Sequence, residues 1–312
     1  MTRSAAKTPQ LPAMAADSRP GRAPGPDSIM WLALSDLAVS PFAVAVLLMQ
    51  AAHPDVGSAV GEYSIYTKDP WGRLFRTGYS MMRFLYGGKQ GKQSRQEAKD
   101  LRALHANING TRPDGQPYRA LAPQTYRIVP DTFLDAVLRL HQTIYPPLSD
   151  AEKTALYAEY IDLCLLFGIP RDALENSLEE FLNYYDRLLL NTMNYNPTVA
   201  FLLGDMMRYG PVMKYLPLPE KWRRFIYSRT LSPIIRLFTV GFIDPRFRAK
   251  HAISWSEKDE RRYRQGVTLI RFICKISPRF LRYHPFALHI MAGGHGVKLM
   301  NFKKLMAFKS KK

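Results

Sequence analysis

Three polar side chains, Arg73, Arg76 and Thr77, interrupt an otherwise apolar run between Asp69 and Met81. Positions i, i+3 and i+4 of an α-helix share one face, so this spacing predicts that the three project together. Two permanent positive charges on one face favour an anionic partner, and arginine makes bidentate contacts with carboxylates. A solvent-exposed face has the same spacing, so an unpartnered surface stripe stays an alternative.

A histidine in a second segment could supply a metal ligand. His105 is flanked at helical spacing by Leu101, Leu104 and Ile108, which predicts that its imidazole lies on the apolar face of a helix. A neutral imidazole in an apolar pocket can bind haem iron. The arginines of the first segment could then bind the haem propionates. A core histidine that donates to a backbone carbonyl is the simpler alternative.

His53 is a second candidate for a contact with iron or with a propionate. It precedes Pro54, where a helix should end, so a structural role at a helix terminus is the competing interpretation. The remaining histidines lack the spacing of a metal site: His141, His251, His284, His289 and His295.

The pattern of the whole chain predicts an all-α fold. Apolar residues recur at intervals of three and four in residues 131–145, 149–168 and 176–193, which predicts a helix in each. Ser149 with Glu152 forms a capping-box pattern at the start of the second helix. Alternating strand patterns are scarce, and the nearest, YRIV, runs directly into a proline.

Composition limits the classes of partner and compartment. The 312 residues carry a formal charge of +18, which favours an anionic partner such as nucleic acid, an acidic membrane or an anionic cofactor. No nucleic-acid-binding motif accompanies the charge, so we expect no nucleic acid partner. Only two cysteines occur, both in apolar runs, which is typical of a reducing compartment. Without a secretory signal or a membrane-spanning segment, we expect a cytoplasmic protein.

Three regions follow from the distribution of residue types. Residues 1–27 are rich in Pro, Ala, Arg and Ser, which predicts a disordered tail. Residues 28–296 form one large helical domain in this interpretation. Residues 297–312 alternate Leu, Met and Phe with lysine, a basic amphipathic pattern that suits peripheral contact with an anionic membrane.

Three segments in order, residues 47–77, 104–121 and 148–170, resemble the haem-dependent oxygenase family of the rubber oxygenases (latex clearing proteins) and MpaB oxygenases. The resemblance implies an all-α fold with a globin-like core and a non-covalent haem b. It also implies that His105 is the proximal iron ligand. By the same resemblance, the Arg73, Arg76 and Thr77 group lies on the distal, substrate side.

The chain departs from the family pattern at two positions. Arg76 stands where the rubber oxygenases have lysine, and arginine stays protonated and cannot bind iron. We therefore expect an open or water-filled distal position, with Arg76 stabilising negative charge that develops on dioxygen. Pro130 stands in a stretch where many relatives have a Trp-Val-His-like sequence. Any role of that histidine is absent here.

The leading hypothesis is therefore a haem b-dependent oxygenase that acts with dioxygen on a hydrophobic, isoprenoid or lipid-like substrate. In it, His105 holds iron, Arg73 anchors a propionate or positions the distal helix, and Arg76 with Thr77 positions oxygen. The alternative is a non-catalytic basic helical module that docks on acidic membrane surfaces.

Overall fold

A computed structural model describes residues 21–64, 67–87, 91–204, 218–284 and 287–288. In these residues the chain is helical apart from one small hairpin, which confirms the predicted all-α class. The helices are α1 (Ile29–Leu34), α2 (Ala43–Ala52), α3 (Pro54–Tyr63), α4 (Pro70–Leu85), α5 (Lys92–His105), α6 (Pro123–Tyr126), α7 (Ile128–Thr143), α8 (Asp150–Phe167), α9 (Leu178–Arg187), α10 (Pro197–Leu203), α11 (Glu220–Arg229), α12 (Leu231–Phe242), α13 (Pro245–Lys250), α14 (Glu257–Ile276) and α15 (Arg279–Arg282). Short 3₁₀ turns occupy Leu37–Phe42 and Arg171–Ala173, and a π turn occupies Leu188–Thr192.

The core lies around α2, α7 and α8. Helix α8 buries one residue after another along its length, including Leu156, Tyr160 and Cys164. Helices α1 and α7 pack on α8, α2 packs on α7, and α12 packs on the outside of α2. Helix α5 also packs on α8, and α4 packs on α5. The helices that carry the candidate site are therefore joined to the core through α5.

Local capping signals set the ends of α8 as the sequence predicts. The hydroxyl of Ser149 accepts from the backbone N–H of Glu152, and the Glu152 carboxylate accepts from the backbone N–H of Ser149. Gly168 ends the helix in the left-handed region, at φ 86°. Both the capping box and the glycine stop are confirmed.

Helix α7 begins earlier than its apolar pattern predicts. It starts at Ile128 rather than at residue 131, and Pro130 lies buried in its first turn. Proline fits there because the first N–H groups of a helix have no partner within the helix. The YRIV stretch therefore contains no strand: α6 ends at Tyr126, Arg127 is the turn between the two helices, and α7 begins at Ile128.

A buried ionic network joins α7, α8 and the segment that leads into α9. The fully buried carboxylate of Asp131 accepts from Arg127 Nε at 3.1 Å, from the Tyr160 hydroxyl at 2.5 Å and from the Tyr184 hydroxyl at 3.2 Å. Arg127 also donates to Glu175 at 2.6 Å. Burial raises the pKa of Asp131 to about 6, although the Arg127 charge opposes this shift.

The hairpin after α5 is a feature that the sequence analysis missed. Strands β1 (Asn109–Thr111) and β2 (Pro117–Arg119) pair antiparallel, with Gly110 opposite Tyr118. Gly115 allows the turn because it adopts φ 83°. The Pro-Asp-Gly sequence before β2 is the signal that could have predicted this turn.

Both ends of the chain lie outside the described residues. Residues 1–20 hold most of the predicted N-terminal tail, and residues 289–312 hold His289, His295 and the predicted basic tail at 297–312. Gly21 is buried against the α8 backbone, so the described fold begins before residue 28. Within the described part, each helix alone is too short or too polar to cross a bilayer. The segments Leu37–Ala52 and Pro54–Tyr63 reach that length and apolarity only together, and they meet at 100°.

Candidate functional site

Helix α4 presents the arginine stripe, and its start is fixed by Asp69. The Asp69 carboxylate caps the helix by accepting from the Gly72 N–H at 3.1 Å, and Pro70 occupies the first helical position. A Cβ on Gly72 would lie 2.0 Å from that carboxylate, so the close cap requires glycine there. Because the cap fixes the first turn of α4, it also fixes the direction in which the side chains of the next two turns project.

Arg73 is a half-buried cation without a carboxylate partner among the described residues. Its Nε donates to the Ser64 hydroxyl at 3.1 Å, and a terminal nitrogen donates to the Thr77 hydroxyl. The Thr77 hydroxyl donates in turn to the backbone carbonyl of Arg73 at 3.0 Å. Burial lowers the pKa of Arg73, and the charge of Arg76 lowers it further. Both effects would be offset by an anion bound beside it.

Arg76 has a different environment from Arg73. It forms an ion pair with the capping carboxylate of Asp69 at 3.1 Å, and 39% of its side chain is exposed. The stripe therefore holds one half-buried guanidinium that has no ion pair in the described part of the chain, and one exposed guanidinium that is paired with Asp69.

His105 is the last residue of α5, and its orientation is set by the main chain. Its Nδ1 lies 2.7 Å from the carbonyl oxygen of Leu101. Because a carbonyl only accepts, Nδ1 carries the proton and Nε2 keeps its lone pair. The prediction that Leu104 shares the apolar face was wrong, since that side chain is 68% exposed; Leu101 and Ile108 are partly buried.

The structure brings His105 and Arg73 into one electrostatic environment. Helices α4 and α5 pack against each other. Burial lowers the pKa of His105; the hydrogen bond to Leu101 raises it, and the charge of Arg73 lowers it. His105 is therefore a neutral imidazole at neutral pH, close enough to Arg73 for its protonation to depend on that charge.

His53 belongs to a different cluster. It is buried where α2 turns into α3, and its Nδ1 has no hydrogen-bond partner in the described part of the chain. Burial lowers the pKa of His53, while Asp55 raises it and Arg112 lowers it. Asp55 binds Arg112 at 3.1 Å and the hydroxyl of Thr125 at 2.7 Å. The charges around His53 are thus those of the hairpin and of α3 rather than those of the α4 stripe.

Comparison with known proteins places the chain in a family. Residues 31–272 match the family model described as ER-bound oxygenase mpaB/B′/rubber oxygenase, catalytic domain. The chain belongs to this oxygenase family. It is also similar to two uncharacterized proteins, from Mycobacterium tuberculosis and Mycobacterium bovis, each 25% identical over 238 residues that cover 74% of this chain and 87% of each relative. No solved structure matches the chain.

His105 and Arg73 are the groups of this site that could contact a cofactor. No group of three or more His, Cys, Asp or Glu residues that could hold a metal ion occurs in the ranges given above. His105 offers a single nitrogen ligand, and Arg73 offers a cation that can bind a carboxylate. The globin-like geometry implied by the family resemblance stays a prediction.

Tyr126 is a site residue that the sequence analysis missed. Its ring meets the His105 ring edge-on at 5.9 Å between centroids, and its buried hydroxyl has no hydrogen-bond partner in the described ranges. Burial raises the pKa of Tyr126 to about 12, so the hydroxyl is protonated and can donate. The sequence carried no signal for this contact because α5 and α6 are separated by the hairpin.

Proposed function

We propose that this oxygenase is haem b-dependent and uses dioxygen to oxidise a hydrophobic substrate of isoprenoid or lipid-like character. One observation carries the proposal: His105 keeps Nε2 free as a ligand beside Arg73, a half-buried cation without a carboxylate partner among the described residues. A neutral imidazole can be the axial ligand of a haem iron, and an arginine can pair with a haem propionate. When bound, haem supplies the redox-active iron at which dioxygen is activated.

In this proposal His105 binds iron through Nε2. The Leu101 carbonyl holds Nδ1–H and thereby fixes both the tautomer and the plane of the ring. Because the pKa of His105 is lowered, protons do not compete with iron at neutral pH.

Arg73 binds a propionate in this proposal, and Thr77 positions it. The hydroxyls of Ser64 and Thr77 hold the guanidinium in place without neutralising it. The Thr77 hydroxyl already donates to the Arg73 carbonyl, so it would have to release that bond before donating to oxygen. We therefore assign Thr77 first to the orientation of Arg73.

Arg76 is the residue of the stripe whose side chain could move to contact a reacting group. Within the described ranges its carboxylate contact is the half-exposed pair with Asp69, which is worth little in free energy. By exchanging that contact, Arg76 could donate to negative charge that develops on oxygen during the reaction. His53 is only a secondary candidate for a cofactor contact, because the charges around it are those of Asp55 and Arg112 and not those of the α4 stripe.

The family match favours this enzymatic proposal over the non-catalytic membrane module weighed from the sequence, because the match covers an oxygenase catalytic domain. The hydrophobic substrate and dioxygen are the partners that the proposal requires.

The test is haem binding by the purified protein, read from the Soret absorbance after reconstitution. His105→Ala should abolish stoichiometric binding. His141→Ala is the matched control, because Nδ1 of His141 also lies 2.7 Å from a backbone carbonyl, that of Pro146. The control should bind haem as the wild type does. Unchanged binding by His105→Ala would refute the assignment of the ligand.

Arg73→Gln tests the second half of the proposal. Loss of a hydrogen bond to a charged group costs about 1.5–3 kcal/mol, so haem affinity should fall on the order of tenfold or more. Arg73→Lys should restore part of the loss because it keeps the positive charge. An Arg73→Gln variant with wild-type affinity would show that the propionates lie elsewhere.

A further inference from the structure

Helix α14 carries an exposed apolar stripe on its outer face. The stripe comprises Leu269, Phe272, Ile273 and Ile276, at helical spacing i, i+3, i+4 and i+7, with exposed fractions of 58%, 56%, 42% and 61%. The opposite face of the helix packs into the protein through Tyr263, Val267 and Ile270. The inner face therefore holds α14 against the protein, and much of the surface of the outer stripe is left exposed.

The stripe continues into α15. Phe280 and Leu281 are 61% and 65% exposed and follow the end of α14 directly. Contiguous exposed apolar surface of this kind marks an interaction site rather than chance exposure. We call the four residues of the stripe together with Phe280 and Leu281 the α14–α15 face.

The chain around this face is basic without exception. From Arg261 to Arg282 the sequence has no Asp or Glu and seven basic residues. These are Arg261, Arg262, Arg264, Arg271, Lys275, Arg279 and Arg282.

Two of these charges are available to a partner. Arg262 and Lys275 are exposed and form no ion pair within the described part of the chain, whereas Arg264 is paired with Glu260. Arg262 lies seven residues before Leu269, so it stands on the same helical line as the stripe. The first half of α14 mixes Glu257, Asp259 and Glu260 with four basic residues, and the apolar side chains lie along its second half. The exposed charges of Arg262 and Lys275 thus flank the stripe.

We propose that the α14–α15 face docks on the anionic surface of a lipid bilayer. Phe, Leu and Ile side chains would enter the boundary between headgroups and acyl chains, and the flanking Lys and Arg would reach the lipid phosphates. Three of the seven basic residues are already paired: Arg261 with Glu257, Arg264 with Glu260 and Arg282 with Asp36. A second copy of this chain fits less well than a bilayer, because it would bring the exposed charges of Arg262 and Lys275 near the same charges of the other copy. An anionic membrane can bind both the apolar side chains of this face and the basic residues beside them. The proposal does not depend on the cofactor.

The experiment is cosedimentation of the full-length protein with vesicles of phosphatidylcholine alone or mixed with phosphatidylserine. The wild type should bind the mixed vesicles more tightly, and added salt should weaken the binding. Leu269→Ser/Ile276→Ser should weaken binding on the order of tenfold, because two side chains lose their burial in the interface. The matched control is Leu182→Ser/Leu190→Ser, which changes exposed leucines on and just after α9 and should bind as the wild type does.

A second pair of variants tests the charge. Arg262→Gln/Lys275→Gln should also weaken binding on the order of tenfold and reduce its salt dependence, since each basic residue near an anionic surface contributes. Lys99→Gln/Arg187→Gln removes the same two residue types elsewhere and should have no more than about a twofold effect through net charge. Circular dichroism and thermal unfolding should be unchanged, because the altered side chains are exposed.

Three results would overturn the proposal. One is binding that shows no preference for phosphatidylserine. Another is equal loss of binding in the stripe variant and its control, which would assign binding to another part of the chain. The third is a wild-type dimer that the Leu269→Ser/Ile276→Ser change converts to a monomer without altering vesicle binding, which would identify the face as a contact between two copies.

Discussion

Asp69 connects the start of α4 to the arginine stripe, and its two contacts can be separated by mutation. One carboxylate oxygen caps the helix at the Gly72 N–H, and the other binds Arg76, both at 3.1 Å. Asp69→Ala removes both contacts. A lost N-cap costs about 1 kcal/mol and a half-exposed ion pair about 0.5 kcal/mol, so the free energy of unfolding should fall by about 1.5 kcal/mol.

Asp69→Ser isolates the ion pair, because serine is also a good N-cap but has no charge. Its cost should be only about 0.5 kcal/mol. Urea unfolding followed by helical circular dichroism measures both values, provided that the slope against denaturant is unchanged. Asp150→Ala serves as the control: Asp150 lies at the start of α8 and pairs with Lys153, but Ser149 supplies that cap. This control should change stability by less than about 0.5 kcal/mol.

The reasoning fails if Asp69→Ser is as destabilising as Asp69→Ala, since the cap would then contribute nothing. A double-mutant cycle with Arg76→Gln gives an independent value for the pair, and we expect a coupling energy of about 0.5 kcal/mol. A coupling energy of zero would mean that Arg76 is already free of Asp69 in solution.

Two further predictions concern the buried network and the histidine. Asp131→Ala should lower the free energy of unfolding by about 3 kcal/mol, because it removes one of the two carboxylates that pair with the buried Arg127 and the shared acceptor of the Tyr160 and Tyr184 hydroxyls. Urea unfolding measures this, and a loss below about 1 kcal/mol would contradict it. The Soret absorbance of haem-loaded protein should stay constant as the pH falls from neutral to 6.5, because the pKa of His105 lies below its ordinary value of 6.5. Below that, protonation should begin to displace the imidazole, and a loss centred above pH 6.5 would refute the neutral, desolvated histidine.

The sequence predicted those elements whose signals are local. The capping box at Ser149 and the stop at Gly168 act within one helical turn, and both ends of α8 follow them. The apolar pattern placed the start of α7 three residues late, because Pro130 was treated as a barrier and not as a first-turn residue. The hairpin also has a local signal, the Pro-Asp-Gly turn, which was overlooked. Its attachment to α3 is a distant contact that no local pattern specifies: the hydroxyl of Tyr118 donates to Glu62 at 2.6 Å.

For the candidate site, spacing predicted which residues share a face but not what each one contacts. The stripe of Arg73 and Arg76 follows from helical periodicity alone. Their different environments depend on Asp69 at the cap and on Ser64 beyond the helix, which no periodicity specifies. The approach of Arg73 to His105 depends on how α4 packs against α5, a tertiary property.

The carbonyl of Leu101 has a consequence for how this site can change during evolution. The group that orients the imidazole belongs to the main chain, and every amino acid provides the same acceptor at that place. Point substitutions at position 101 therefore cannot delete the orienting contact, as they could if a side-chain carboxylate performed the task. The basicity of the ligand can still be adjusted, but only by altering the charges that surround it, of which Arg73 is the one already in place.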